Sequence, residues 1–219
     1  MDFFFPDYCA VCGDPLTYGE KTVCLNCLNE LPFAELDFSE NNPVTHILQS
    51  KIPVHKATAL LIYHKHGSSG KLIHALKYNG KQHIGTFMAY YLSPLLRSDP
   101  PEVIIPIPLH KKKLKQRGYN QLALFGKKLS ANLNAQYLDN VLLKKNHTDT
   151  QTTKSPLERW KNVKKSFEVY CPKNITHKHI LLIDDVLTTG ATLSAAAEML
   201  LENCPQILLS VAVMAFNPG

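Results

Sequence analysis

Residues 181–192, Leu-Leu-Ile-Asp-Asp-Val-Leu-Thr-Thr-Gly-Ala-Thr, set two adjacent carboxylates at the end of an apolar run and follow them at once with hydroxyls and a glycine. Each part answers a need of a sugar phosphate. An apolar strand delivers Asp184 and Asp185 to its carboxyl end, where carboxylates accept hydrogen bonds from vicinal hydroxyls. In Thr188-Thr189-Gly190 the glycine lets the backbone approach a ligand closely and the threonines add donors. A helix expected to start at Ala191 or Thr192 turns its free N–H groups and the positive end of its dipole toward an anion held in the loop. Two acids at a surface strand end account for Asp184 and Asp185 alone. They leave the Thr-Thr-Gly-Ala-Thr turn unexplained, and carboxylates after so apolar a run are costly unless solvated or matched to partners.

A second constellation is Cys9, Cys12, Cys24 and Cys27, spaced C-x2-C-x11-C-x2-C. Each pair can grip a metal from a tight turn, and two pairs complete a tetrahedral sulfur site of the kind zinc takes. Four thiolates leave no open position for catalysis, so the expected role is structural. A module of ~30 residues has too little core to hold its shape without the metal. A thioredoxin-like redox pair or unrelated core thiols are the competing readings, and no strand-helix unit precedes the cysteines to support them. Cys171 and Cys204 read as separate, buried small hydrophobes.

The third is the basic stretch after Ile105, Pro106-Ile107-Pro108-Leu109-His110 followed by Lys111, Lys112, Lys113, Lys115 and Arg117. Such a charge run alone is a solvated surface loop as readily as a ligand site. Leaving the carboxyl end of a strand, it would face the same crevice as Asp184 and supply cations to an anion there. His64, His66, His74 and His83 lack metal spacing and read as surface or partly buried side chains. Trp160 with Arg159, Lys161, Lys164 and Lys165 suits either a core-packed tryptophan with solvated cations or a base-stacking platform.

The elements that must position these groups alternate between apolar strands and helices. Strands are expected at Ala57–Tyr63, Val103–Pro106, Val141–Leu143, His179–Ile183 and Ile207–Met214. Helices are expected at Ser68–Tyr78, His83–Leu96, Asn120–Leu133, Ser155–Lys165 and Ala191–Glu202, with loops at Ile107–Tyr119 and Asp184–Gly190. That alternation predicts an α/β fold with a mainly parallel sheet and ligands at the carboxyl ends of its strands. The polar, turn-rich run from Asp37 to Pro43 predicts a division into a cysteine module at 1–40, a linker and entry segment at 41–56, and the main domain at 57–219.

Charge follows the same division. Residues 1–40 carry Lys21 against eight carboxylates, a net of −7, so the rest of a chain of net charge +6 carries +13. The basic part is compatible with a polyanionic partner, whether nucleic acid or a multiply phosphorylated small molecule. The opening Met-Asp-Phe-Phe-Phe-Pro lacks a basic region and breaks its apolar run at Pro6, which argues against a signal peptide or membrane span and for the cytoplasm. In that reducing compartment six cysteines do not make a disulfide framework.

From Leu181 to Thr192 the chain resembles the type I phosphoribosyltransferase fold, a parallel sheet flanked by helices. The resemblance implies that Asp184 and Asp185 contact the ribose hydroxyls of phosphoribosyl diphosphate. It likewise implies that Val186, Leu187, Thr188, Thr189, Gly190, Ala191 and Thr192 hold the 5′-phosphate. Magnesium would arrive with the diphosphate, as a hard cation taking oxygens from substrate and water.

The four cysteines, Leu76-Lys77-Tyr78-Asn79-Gly80-Lys81, Pro106-Ile107-Pro108-Leu109, Arg117-Gly118-Tyr119-Asn120-Gln121 and the acid-loop-helix segment together resemble the ComF family of competence-associated proteins. That family joins a zinc-ribbon-like module to a phosphoribosyltransferase domain. Tyr119, where phenylalanine is common, and Leu122, where a small residue is, depart from its pattern. The resemblance points to Lys77, Pro108 and Arg117 for the diphosphate, and to a role in DNA uptake beside a competence helicase. Phosphoribosyl transfer to a nitrogen acceptor, which needs mainly orientation and charge stabilisation, is one reading. A non-catalytic adaptor for single-stranded DNA and the helicase is the other.

Overall fold

The computed structural model describes residues 7–145 and 164–218. Residues 155–163 of the expected basic helix, Trp160 among them, lie outside the described residues, as do Phe3 to Phe5. In chain order the elements named below are α1 (Leu25–Asn29), α2 (Pro43–Gln49), β1 (Ala57–Ile62), α3 (Ser68–Tyr78), α4 (His83–Leu96), β2 (Val103–Pro106), α5 (Lys111–Arg117), α6 (Ala123–Leu133), β3 (Gln136–Tyr137), β4 (Leu142–Lys144), β5 (Phe167–Val169), β6 (His179–Leu187), α7 (Ala191–Asn203) and β7 (Leu208–Phe216).

Five strands form one parallel sheet in the order β1-β7-β6-β2-β3. β6 and β7 occupy its middle, and their near-continuous apolar sequences follow from burial on both faces. From β2 the chain passes through α6 to β3 on one side, whereas from β6 it passes through α7 to β7 on the other. The order therefore reverses between β2 and β6, which opens a crevice at their carboxyl ends. β2 stops at Pro106, opposite Ile183, and the Ile107 N–H makes a final bond to the Ile183 carbonyl at 2.9 Å. β6 runs on through Asp184 to Leu187, paired there, among the described residues, only with β7.

Several expectations give way to tertiary structure. The segment 41–56 is built into the core. Asn42 caps α2 by accepting the Thr45 N–H at 3.0 Å, Pro43 takes the first turn, and Val44, Leu48, Ile52 and Val54 are buried. The turn-like Asn-Pro signal marks a helix start there. Pro32 and Ala34 bond in antiparallel fashion to Ile62 and Leu60, covering the outer edge of β1. The expected loop 107–119 contains α5, capped by His110 and ended by Gly118 at φ 82°. The expected strand at 141–143 leaves the main sheet, since β4 pairs with β5 in a separate antiparallel pair. Cys171 and Cys204 are joined to each other as a disulfide, with Cα atoms 5.6 Å apart.

Candidate functional site

Asp184 and Asp185 lie on β6 itself, because the ladder to β7 continues through Asp184↔Val213 and Val186↔Ala215. Strand alternation then sends the two carboxyls to opposite faces of the sheet. Asp185, 6% exposed, accepts a bond at 2.6 Å from Nζ of Lys77 in the last turn of α3. Its other oxygen accepts from the Gln121 amide, and the Gln121 carbonyl oxygen accepts from the Arg117 guanidinium. Arg117 also lies 5.3 Å from the centre of the Tyr78 ring, and the Tyr119 hydroxyl donates to the Leu76 carbonyl. These bonds lock the end of α3 to the 117–121 segment. Between them is a cavity of about 430 Å³ lined by Lys77, Tyr78, Lys113, Gln116 and Arg117 among others.

Asp184 accepts the Asp185 N–H at 2.8 Å, and among the described residues no side-chain donor is bonded to it. Burial, with the neighbouring Asp185 charge adding to it, pushes the Asp184 carboxyl up to about 7, although the Lys77 and Lys144 charges pull the other way. Lys144, at the end of β4, has its Nζ 4.8 Å from the Phe167 ring centre, and burial lowers its amine pKa. Sequence reasoning quoted Gln121 only as part of the family pattern, without a role at the site, and passed over Lys144. A neutral amide in a basic stretch and a lysine at the end of a short strand carry no signal until β6 brings the acids to them.

The remaining loop residues follow directly. Val186 is half-buried and Leu187 buried, with the Leu187 carbonyl accepting the Asn217 N–H at 2.9 Å. Thr188 and Thr189 are exposed. Gly190, at φ 74°, makes the turn into α7, where Ala191 and Thr192 start the helix and the Ser194 N–H bonds the Gly190 carbonyl at 2.8 Å. A side chain at Gly190 would be strained by that φ and would press on Leu187 at 3.3 Å. Lys51, just past α2, donates to the Thr189 carbonyl, so the stretch expected to be a linker touches this loop. Pro108 is half-buried in the turn after β2 and is not among the residues lining the cavity, which does gather Lys77 and Arg117.

The sulfurs of Cys9, Cys12, Cys24 and Cys27 all lie within 4.8 Å of one another. A sulfur tetrahedron around a metal with bonds of about 2.3 Å has edges of about 3.8 Å, and Cys12 Sγ to Cys24 Sγ is 3.8 Å. The Val11 and Cys24 N–H groups point at Cys9 Sγ at 3.5 and 3.4 Å. Burial opposes a charge on Cys9, but N–H groups of Cys12, Cys24 and Val11 outweigh it and bring the thiol down to about 6. The cluster can hold a metal ion. Glu20 stiffens the intervening loop by accepting from Thr17 N–H at 2.7 Å and Leu25 N–H at 2.6 Å.

Comparison with known proteins follows the same outline. The sequence profile of the phosphoribosyl transferase domain matches residues 123–218. Competence protein F of Haemophilus influenzae is 30% identical over 204 residues, covering 90% of this chain and 79% of the relative. The chain belongs to the competence protein F family. DNA utilization protein YhgH of Escherichia coli K12 is 27% identical over 213 residues, covering 90% of this chain and 92% of that protein. Competence protein ComFC of Bacillus subtilis is 38% identical over 106 residues, which are 46% of this chain and 38% of the relative. With the sheet order and the β2/β6 crevice, the profile match makes the main body of this family member a type I phosphoribosyltransferase fold, carrying the cysteine cluster at its N-terminal side.

Proposed function

We propose that the chain binds phosphoribosyl diphosphate with magnesium in the β2/β6 crevice, as a cytoplasmic protein serving DNA uptake and utilisation. The observation that carries this reading is the placement of Asp184 near the carboxyl end of β6, one of the two strands between which the sheet order reverses, just ahead of a loop that opens onto the N-terminus of α7. On this reading the Asp184–Asp185 pair lies beneath the ribose, Val186 to Thr192 hold its 5′-phosphate, and Lys77 and Arg117, with the Pro108 turn, face the diphosphate. Asp184, bonded to no side-chain donor among the described residues, offers a hard oxygen that suits magnesium brought in by the diphosphate. The chemistry such a site supports is displacement of diphosphate from the ribose anomeric carbon by a nitrogen acceptor, with the protein contributing orientation and charge. Zinc in the four-cysteine cluster has a structural role.

Thermal unfolding of the metal-loaded protein with and without phosphoribosyl diphosphate and magnesium tests the reading. The melting temperature rises for the parent and stays unchanged for an Asp184→Asn, Asp185→Asn double variant. No rise in the parent at millimolar ligand would overturn it.

One observation favours a second reading, an adaptor for single-stranded DNA and a competence helicase. Lys65, His66, Lys71 and His74 line a groove of about 400 Å³ between the Ala10–Val11 knuckle and α3, with no carboxylate among its lining residues. Oligonucleotide binding with a steep salt dependence that survives the double substitution would support the adaptor.

A further inference from the structure

The two acids of β6 are neighbours in sequence but not in circumstance. Asp185 has both carboxylate oxygens occupied, one by Lys77 at 2.6 Å and one by Gln121, and it is 6% exposed. An ionised carboxylate keeps further lone pairs beyond these two bonds, but at 6% exposure a sugar hydroxyl reaches them only if one of the two donors moves aside. The displaced group would be the Lys77 ammonium or the Gln121 amide. Gln121 is itself only 5% exposed, and an unpaired polar group at such a site is costly. Lys77 and Arg117 line the 430 Å³ cavity, and Asp185 does not. Asp184, on the other face of the strand, is bonded to no side-chain donor among the described residues.

We propose that the acids divide the ligand between them: Asp184 meets the ribose hydroxyls, whereas Asp185 does not touch the ligand and positions Lys77 and, through Gln121, Arg117 for the diphosphate. The inference rests on the phosphoribosyl diphosphate reading of the crevice. It departs from the symmetrical role that the motif alone suggests for the pair. Lys77 has three N–H donors, and a single bond to Asp185 fixes the ammonium while leaving two for phosphate oxygens. Gln121 does the same for Arg117, whose guanidinium is held between the Gln121 carbonyl and the Tyr78 ring. Asp185 is thus a positioning residue.

Calorimetric binding of two part-ligands, ribose 5-phosphate and inorganic pyrophosphate with magnesium, separates the roles in the full-length protein. Asp184→Asn weakens ribose 5-phosphate about tenfold, the loss of charged hydrogen bonds, and leaves pyrophosphate within about twofold. Asp185→Asn leaves ribose 5-phosphate within about twofold and alters pyrophosphate affinity. That alteration disappears in a Lys77→Met, Gln121→Met background, because the groups through which Asp185 acts are gone. An equal loss of ribose 5-phosphate affinity in both single variants, or an Asp185→Asn effect that persists in full in that background, would overturn the proposal. If Asp185→Asn does not fold, Gln121→Met replaces it, with pyrophosphate affinity changing and ribose 5-phosphate affinity retained; the reverse pattern overturns the proposal. A parent that binds neither part-ligand nor phosphoribosyl diphosphate would sink the reading of the crevice itself, an outcome separate from any difference between the variants.

Discussion

Replacing Asp184 with asparagine should stabilise the protein in a pH-dependent way. The carboxyl titrates near its ordinary value of 3.8 in the unfolded chain and at about 7 in the folded one, because burial and the Asp185 charge disfavour its ionised form. A folded-state value raised above the unfolded one means that the native protein holds this proton more tightly. The contribution is fully present below about pH 4, lost progressively as pH climbs to about 7, and flat above. A shift of about three units at about 1.36 kcal/mol each sets a ceiling of about 4 kcal/mol. The half-buried carboxyl retains contact with solvent, so about 1–2 kcal/mol is the expected size. Asparagine has nearly the same shape and does not titrate. Urea unfolding of both proteins from pH 4 to 8.5 should give curves that lie closest at the acid end, separate as pH climbs toward 7 and run parallel above it, with the variant more stable at pH 8. The difference between them is the quantity to read. Asp99 and Glu102, held down by Lys56 and Lys178, lose stability in the opposite direction as pH falls, and they cancel between parent and variant. Curves parallel over the whole range, or a variant less stable than the parent at pH 8, would refute the argument that Asp184 is a half-buried acid whose charge is not matched by a side-chain partner among the described residues.

Three other perturbations address the frame around the site. Gly126→Ala places a Cβ 2.3 Å from Tyr137 Cε2 and 2.9 Å from Ile183 Cδ1, and the overpacking should cost about 1–3 kcal/mol; an unchanged melting temperature would show that α6 can lift from the sheet freely. The Cys171–Cys204 disulfide spans a sequence separation of 33, for which chain entropy gives at most about 4 kcal/mol. A reductant should lower the melting temperature of the oxidised parent and leave the Cys171→Ser, Cys204→Ser variant unmoved, and equal responses would refute the pairing. Metal analysis should find one zinc per chain, and a strong chelator should release it with loss of structure around residues 9–27, seen as faster amide exchange there; protection that survives chelation would show that the segment folds without metal.

The sequence was most informative where one signal matched one physical requirement. The start of the strand at His179, the glycine before an alanine-rich helix and the periodicity of residues 68–78 and 83–96 all appear in the structure at or near the expected bounds. It was least informative where tertiary partners decide. No residue of α5 is buried, so its helix has no apolar stripe to read and rests on the His110 cap and the Gly118 stop. Two aspartates usually end a strand, yet β6 continues through them because β7 supplies a ladder on one side. Asn42-Pro43 reads equally well as a turn or a helix start, and Asn42 Nδ2 bonding the Ala57 carbonyl at 2.8 Å decides it. The pairing of Cys171 with Cys204 depends on α7 returning its end to the segment after β5, which no local pattern records.

The N-terminal segment and the crevice share one support. Cys9, Val23 and Leu31 belong to the same buried cluster as the strands, so the cysteine segment packs on the main body directly. Its knuckle residues Ala10 and Val11 line a groove whose other wall is α3, from Gly70 to Asn79. The last turn of that helix carries Lys77, the cation bonded to Asp185. Pro32 and Ala34 meanwhile secure β1, the strand that leads into α3. An acidic, cysteine-rich segment could be an independent docking module in a chain of this composition. Here its backbone covers the open edge of the sheet and its cysteine-bearing turns stand beside the helix that presents Lys77. The bonded route from this segment to Lys77 therefore runs from Pro32 and Ala34 through β1 into α3.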